Sequence, residues 1–176
     1  MTFKRNMVRL AVGAALGLAA ASSHADLVLI APEDFSGTGL GSVNTILTIQ
    51  SPASTSSENG LVTWNGVADV ISGATALTGA SQTQTRTLGS LGITSPASLR
   101  VVFNAAEPGG DSITLTGLTL TLYNATTGAT FFDAALSPVS IAFANSQTGT
   151  GNSGFVFGLN AAEQTELTGL LVDRNN

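Results

Sequence analysis

Along residues 112–123, Ser-Ile-Thr-Leu-Thr-Gly-Leu-Thr-Leu-Thr-Leu-Tyr, apolar side chains recur at every second position, and this repeat constrains the fold more than any other feature. A strand turns successive side chains to opposite faces, so such a run buries one face and wets the other. Ile113 and Leu115 stand at odd positions, whereas Leu118, Leu120 and Leu122 stand at even ones. One buried face cannot survive that change of phase. The chain must shift register by a bulge, or pass from one sheet into another, at Thr116 and Gly117.

Similar short runs fill most of the remaining chain and are separated by clusters of Gly, Asn, Asp, Ser and Pro. Strands are predicted over 27–31, 43–50, 99–104, 129–134, 138–144 and 154–159. The stretch 61–71 predicts a hairpin about the two-residue turn Asn65-Gly66, or a single strand bulged at Gly66. Residues 81–88 alternate Gln82, Gln84 and Arg86 with Thr83, Thr85 and Thr87, which predicts an edge or solvated strand with no apolar face. Loops are expected over 34–41, 51–59, 107–111 and 124–128. Near the end, Asn160 is placed to cap a helix with Glu163 three residues on, and Leu167, Leu170 and Leu171 follow on one helical face. The sum is an all-β chain, an antiparallel β-sandwich of jelly-roll type with one short C-terminal helix. A sandwich that stops after this helix would expose a sheet edge, so a truncated C-terminus or a strand supplied by a partner is expected.

The first 25 residues have a different character. Lys4, Arg5 and Arg9 precede an apolar run over 10–21, which meets Ser23-His24-Ala25. This is the layout of a secretory signal peptide, with cleavage expected between Ala25 and Asp26. A membrane span needs about 20 apolar residues, and this run is too short for that. The expected organisation is therefore a signal peptide over 1–25 and a single β-sandwich domain over 26–176, secreted or periplasmic and free of the membrane after cleavage.

Processing at that bond would remove the only lysine, Lys4, and the only histidine, His24. The remainder has no cysteine and sets Arg86, Arg100 and Arg174 against all 11 acids, a formal charge of −8. Such a surface lacks the cations that neutralise phosphates, which argues against nucleic acid as a partner. Glycans and other surface proteins stay open as partners, and the oligomeric state is not encoded in any pattern of this kind.

The segment from Asp111 to Asn124, followed by Gly128 to Asp133, together with the leader and the Gly, Ser and Thr richness, resembles exported bacterial β-sandwich surface proteins of the PEP-CTERM type. The likeness is one of style over most of the mature chain, and the Pro-Glu-Pro box, terminal apolar helix and basic end of that family are not in the sequence. The resemblance implies a surface or matrix location and carries over no catalytic residue.

Without His, Lys or Cys, the usual nucleophile–base pairs and zinc ligands are missing from residues 26–176. Paired carboxylates could still hydrolyse glycosides, with Glu33, Asp34, Asp69, Glu107, Asp111 and Asp133 as candidates, although acids in turns are ordinarily just solvated. Asn104, Glu107 and Asp111 flank Gly109-Gly110 and form a candidate calcium loop, set against the reading of an ordinary turn. Trp64 with Gln82, Gln84 and Arg86 forms a candidate glycan platform, set against the reading of Trp64 as a core residue. The threonine runs at 83–87 and 114–121 invite comparison with ice-binding arrays, but threonine is equally a good strand residue and the runs share no repeat length. The expected function is a non-enzymatic structural, adhesive or matrix component with no resident cofactor. A glycan-binding module, with calcium as a candidate stabiliser, is the alternative, and a small carboxylate-dependent hydrolase is third.

Overall fold

The computed structural model describes residues 25–33, 43–50, 56–105, 112–143 and 154–173. Within them lie the strands β1 (Ala25–Glu33), β2 (Leu61–Trp64), β3 (Asp69–Ser72), β4 (Val101–Asn104), β5 (Ile113–Leu115), β6 (Thr119–Tyr123), β7 (Thr130–Ser137), β8 (Ile141–Phe143) and β9 (Gly154–Leu159). A 3-10 turn at Pro96–Ser98 and the helix α1 (Ala161–Asp173) complete the elements. Among the described residues the regular structure is thus mostly β-strand in sheets, followed by one short helix at Ala161–Asp173.

Five strands form the main sheet in the order β4-β9-β1-β7-β6. β1 runs parallel to β7 and antiparallel to β9, and the other pairs are antiparallel. Because register partners share a face, Leu27 aligns with Leu136 and Leu159, Leu122 with Phe132, Leu120 with Ala134, and Val101 with Phe157. These residues make the core face, and alternation along β7 shows it directly, with Phe132, Ala134 and Leu136 all buried. Phe157 and Ala134 are completely inaccessible. The opposite face carries Asp26, Val28, Thr119, Thr121 and Asp133, as the same register requires.

Three features cover the core face. Helix α1 contributes Leu167, buried completely, with Leu170 and Leu171 beside it. The irregular segment 88–99 adds Leu88, Ile93 and Leu99. The β5–β8 pair adds Ile113, Leu115, Ile141 and Phe143. Phe143 stacks on Phe155 with ring centroids 3.8 Å apart, and Phe103 lies 6.1 Å from Phe143, so β5–β8 is tied to the β4–β9 edge by aromatic contact.

The change of phase within 112–123 is resolved by a change of sheet. β5 pairs with β8, β6 joins the main sheet, and residues 116–118 cross between them. Ile113 and Leu115 therefore reach the core from one side while Leu120 and Leu122 reach it from the other. The hairpin over 61–71 is also present, but its loop spans 65–68 rather than two residues. The Asn65 side-chain oxygen accepts from the amides of Val67 and Ala68 at 2.9 and 2.8 Å, closing the longer loop, and Gly66 sits at φ +94°.

Two predicted strands are corrected. Residues 43–50 form no ladder beyond a single bridge between Ile49 and Ala76. Ile46, Leu47 and Ile49 are each more than a third exposed, so their alternation selects no buried face, and the segment's backbone bonds instead through Ile46, Thr48 and Gln50 to segments 75–77 and 82–84. Residues 81–88 are turn and irregular chain, with Gln82 and Thr83 amides both bonded to the Gly79 carbonyl. A strand with no apolar side gains little by pairing, and here the threonine hydroxyls, rather than a ladder, bind the segment to the protein.

Candidate functional site

Of the glycan-platform candidates, Gln84 and Arg86 come to the β2–β3 hairpin that bears Trp64 through their neighbour Thr85, whereas the Gln82 carbonyl accepts from the Thr48 hydroxyl. Trp64 ends β2 directly opposite Asp69 on β3, so their side chains share the inner hairpin face with Val62 and Ile71. Asp69 Oδ1 accepts from the Thr85 hydroxyl at 2.6 Å and from the Thr85 amide at 3.1 Å. These bonds bring segment 84–86 against the Trp64 end of the hairpin. Gln82 and Arg86 are exposed, and Gln84 is half-buried with its side-chain amide donating to the Ala80 carbonyl.

Trp64 itself is a clamp. Its indole N–H donates to the Ala125 carbonyl at 2.8 Å, joining the hairpin to the β6–β7 turn 61 residues away. The backbones of the two turns lie against each other. A Cβ on Gly66 would stand 2.9 Å from the Thr127 carbonyl carbon, and one on Gly128 would stand 2.5 Å from the Gly66 amide nitrogen. Both glycines hold positive φ, so the contact needs glycine for conformation and for space. The indole nitrogen of Trp64 thus serves a structural bond, and the side chain is half-buried rather than displayed as an open platform.

The threonine run at 83–87 points partly inward. Thr83 is 2% exposed and its hydroxyl accepts from the Thr48 amide at 3.2 Å, while the Thr85 hydroxyl is bound to Asp69. Hydroxyls committed to internal bonds do not form a regular outward array, which counts against an ice-binding surface here.

Of the calcium candidates, Asn104 closes β4 opposite Gly154, whereas Glu107 and Asp111 lie outside the described residues. Among the hydrolase candidates, Asp34, Glu107, Asp111 and the side chain of Glu33 also fall outside them. Asp69 lies on β3 of the hairpin, whereas Asp133 stands on β7 opposite Thr121, on the face of the main sheet away from the core. Asp26 shares that face; it pairs with Ala135, so Asp133 is its diagonal neighbour two residues along β7. Among the described residues, no three His, Cys, Asp or Glu side chains gather as metal ligands would.

Two clefts flank α1, and neither contains an ionisable group. One, of about 240 Å3, lies between Leu88, Ile93, Pro96, Leu99, Leu167 and Leu171. The other, about 450 Å3 and wide open, is lined by Ser95, Ala97, Ala161, Gln164, Thr165 and Thr168. The polar side chains that α1 contributes to it are engaged: Gln164 donates to the Leu159 carbonyl, and the Thr165 and Thr168 hydroxyls donate to carbonyls one turn back. At the helix start, Asn160 Oδ1 accepts from the amides of Ala162 and Glu163 at 2.8 and 3.3 Å. Glu163 is 7% exposed and its Oε2 has no hydrogen-bond partner, a costly arrangement beneath the helix.

The outer face of the hairpin was not singled out by sequence pattern. Leu61 pairs with Ser72 and Thr63 with Val70, so these four face away from Trp64. Leu61 is 51% exposed, Val70 46%, and Val67 at the tip 85%. β2 and β3 pair only with each other among the described residues, leaving the hairpin's backbone edges outside any larger sheet. The alternation in 61–64 held the signal, but both faces of this hairpin carry apolar residues and periodicity could not say which one is covered.

Neither family models, nor curated protein sequences, nor solved structures match this chain.

Proposed function

We propose that this protein is exported by its N-terminal leader and acts outside the cytoplasm, in the periplasm or at the cell surface, as a non-enzymatic structural or adhesive β-domain. The observation that carries this reading is the β2–β3 hairpin, on which Leu61, Val67 and Val70 are exposed and which pairs with no further strand among the described residues. Apolar side chains on such an element favour contact with another macromolecule, and the acidic remainder of the surface favours protein or neutral glycan over nucleic acid. The finer architecture belongs to the same proposal: β5–β8, laid against β4 and β9 through Phe143, is the beginning of a second layer of a β-sandwich.

The test uses the full chain with a C-terminal tag, expressed in a Gram-negative bacterium. Export predicts a protein outside the cytoplasm whose first residue by N-terminal sequencing is Asp26. The adhesive role predicts that the double variant Leu61→Lys, Val70→Lys keeps its far-ultraviolet spectrum but is released from the cell surface. Retention of the full precursor in the cytoplasm, or surface association unchanged by the double variant, would sink the reading.

A second reading, glycan binding, is favoured by one observation: the Asp69–Thr85 bonds draw Gln84 and Arg86 alongside the hairpin end that bears Trp64. Trp64 is the only tryptophan, so its emission reports on that end alone. Saturable spectral shifts with a saccharide panel, abolished by Arg86→Ala, would establish it; emission indifferent to every sugar would remove it.

A further inference from the structure

The leader joins the domain at an unusual place. β1 is the central strand of the main sheet, between β9 and β7, and the proposed scissile bond is its first peptide. Ala25 and Asp26 are in parallel register with Ala134 and Ala135 of β7. One residue later Leu27 is held on both sides, by Leu136 and by Leu159, and is 1% exposed.

We infer that, in this protein, removal of the leader must precede insertion of β1 into the main sheet, so that a precursor that folds first is trapped uncut. The inference rests on the export reading above. Leader peptidases recognise small residues at the first and third positions before the bond, here Ala25 and Ser23. Peptide segments are commonly bound in extended form, with the segment's backbone pairing to an edge of its receptor. Water then adds across the Ala25–Asp26 amide: Ala25 leaves as the carboxylate end of the leader, and Asp26 keeps the nitrogen as a new amine. In the folded chain both residues lie in register with β7, which already occupies the edge of the segment that faces it. The same N–H and C=O groups cannot serve strand and peptidase together.

Fraying of two terminal residues alone does not free the site. The peptidase must also engage the chain beyond the bond, and Leu27 is fastened into the core between two strands. Hydrolysis therefore follows the small population in which β1 has left the sheet. The geometry has a second consequence. The mature chain starts one residue before a core residue, so processing leaves no loose N-terminal extension on the sheet.

The experiment compares one precursor in three states, each given purified leader peptidase in detergent. The first is full-length chain folded beforehand. The second is the same chain diluted from denaturant straight into the peptidase. The third is Phe157→Ala, which empties the completely buried site beside Leu29 and Val101 and opens the sheet. The folded chain is expected to be cut at least about tenfold more slowly than the other two, as cleavage tracks the open population. Equal rates for folded and freshly diluted chain would overturn the ordering while leaving the leader intact. No cleavage after Ala25 in any state would overturn the leader itself, and the ordering with it.

Discussion

Replacing Gly128 by alanine isolates the clamp between the hairpin and the β6–β7 turn. At φ +72° an added Cβ disfavours the backbone, at a cost of about 1–2 kcal/mol. The same Cβ would stand 2.5 Å from the Gly66 nitrogen and 2.7 Å from the Asn65 carbonyl oxygen, both backbone atoms that cannot rotate aside. The turns must separate, and the Trp64–Ala125 hydrogen bond, worth about 0.5–1.5 kcal/mol, goes with them. Together these cost about 2–3 kcal/mol, or about 5–10 °C in melting temperature for a chain of this size. The matched control is Gly92→Ala, because Gly92 has nearly the same φ, +68°, with nothing within 4 Å of its added Cβ. It bears the conformational cost alone. Melting followed by circular dichroism, and independently by Trp64 emission, reads both terms. The reasoning fails if Gly128→Ala and Gly92→Ala melt together and Trp64 emission is unchanged in both.

Further substitutions probe the other buried polar contacts. Asn160→Ala removes the acceptor for the Ala162 and Glu163 amides and is expected to cost about 1 kcal/mol, read as a lower urea midpoint with faster amide exchange in the first turn of α1. Glu163→Met replaces a buried carboxylate whose Oε2 is unpartnered, and should raise the urea midpoint by about 1 kcal/mol of stability; a lower midpoint would show that the carboxylate is stabilising. Thr83→Val keeps the buried shape but takes the acceptor from the Thr48 amide, a loss of about 1 kcal/mol with increased exchange at that amide; an unchanged rate would contradict the inward role of this hydroxyl.

How much of this was legible in the residues depends on the range of the interaction. Local periodicity marks which side of a segment is apolar, so β9, the cap at Asn160 and a break in the ladder at 116–117 could all be read from the residues, whereas the choice between a bulge and a change of sheet could not. Periodicity carries no label for the partner. Nothing in 81–88 says that Thr83 turns inward to Thr48, and nothing near Trp64 names Ala125 as its acceptor. The candidate site shows the same division. The residue types of the Trp64, Gln82, Gln84 and Arg86 set were visible, but their arrangement followed from the Asp69–Thr85 bonds, which join segments distant in sequence.

From its residues alone this chain is bound to be β-rich, acidic over residues 26–176, and to form a capped helix over 161–173, because those properties depend on neighbours a few positions apart. Only the tertiary structure seats β1 at the centre of the sheet, spends the indole nitrogen on a distant turn, and leaves Leu61, Val67 and Val70 exposed on the hairpin. Those outcomes are set by which distant segments meet, and closing a chain over tens of residues costs an entropy that no single segment encodes.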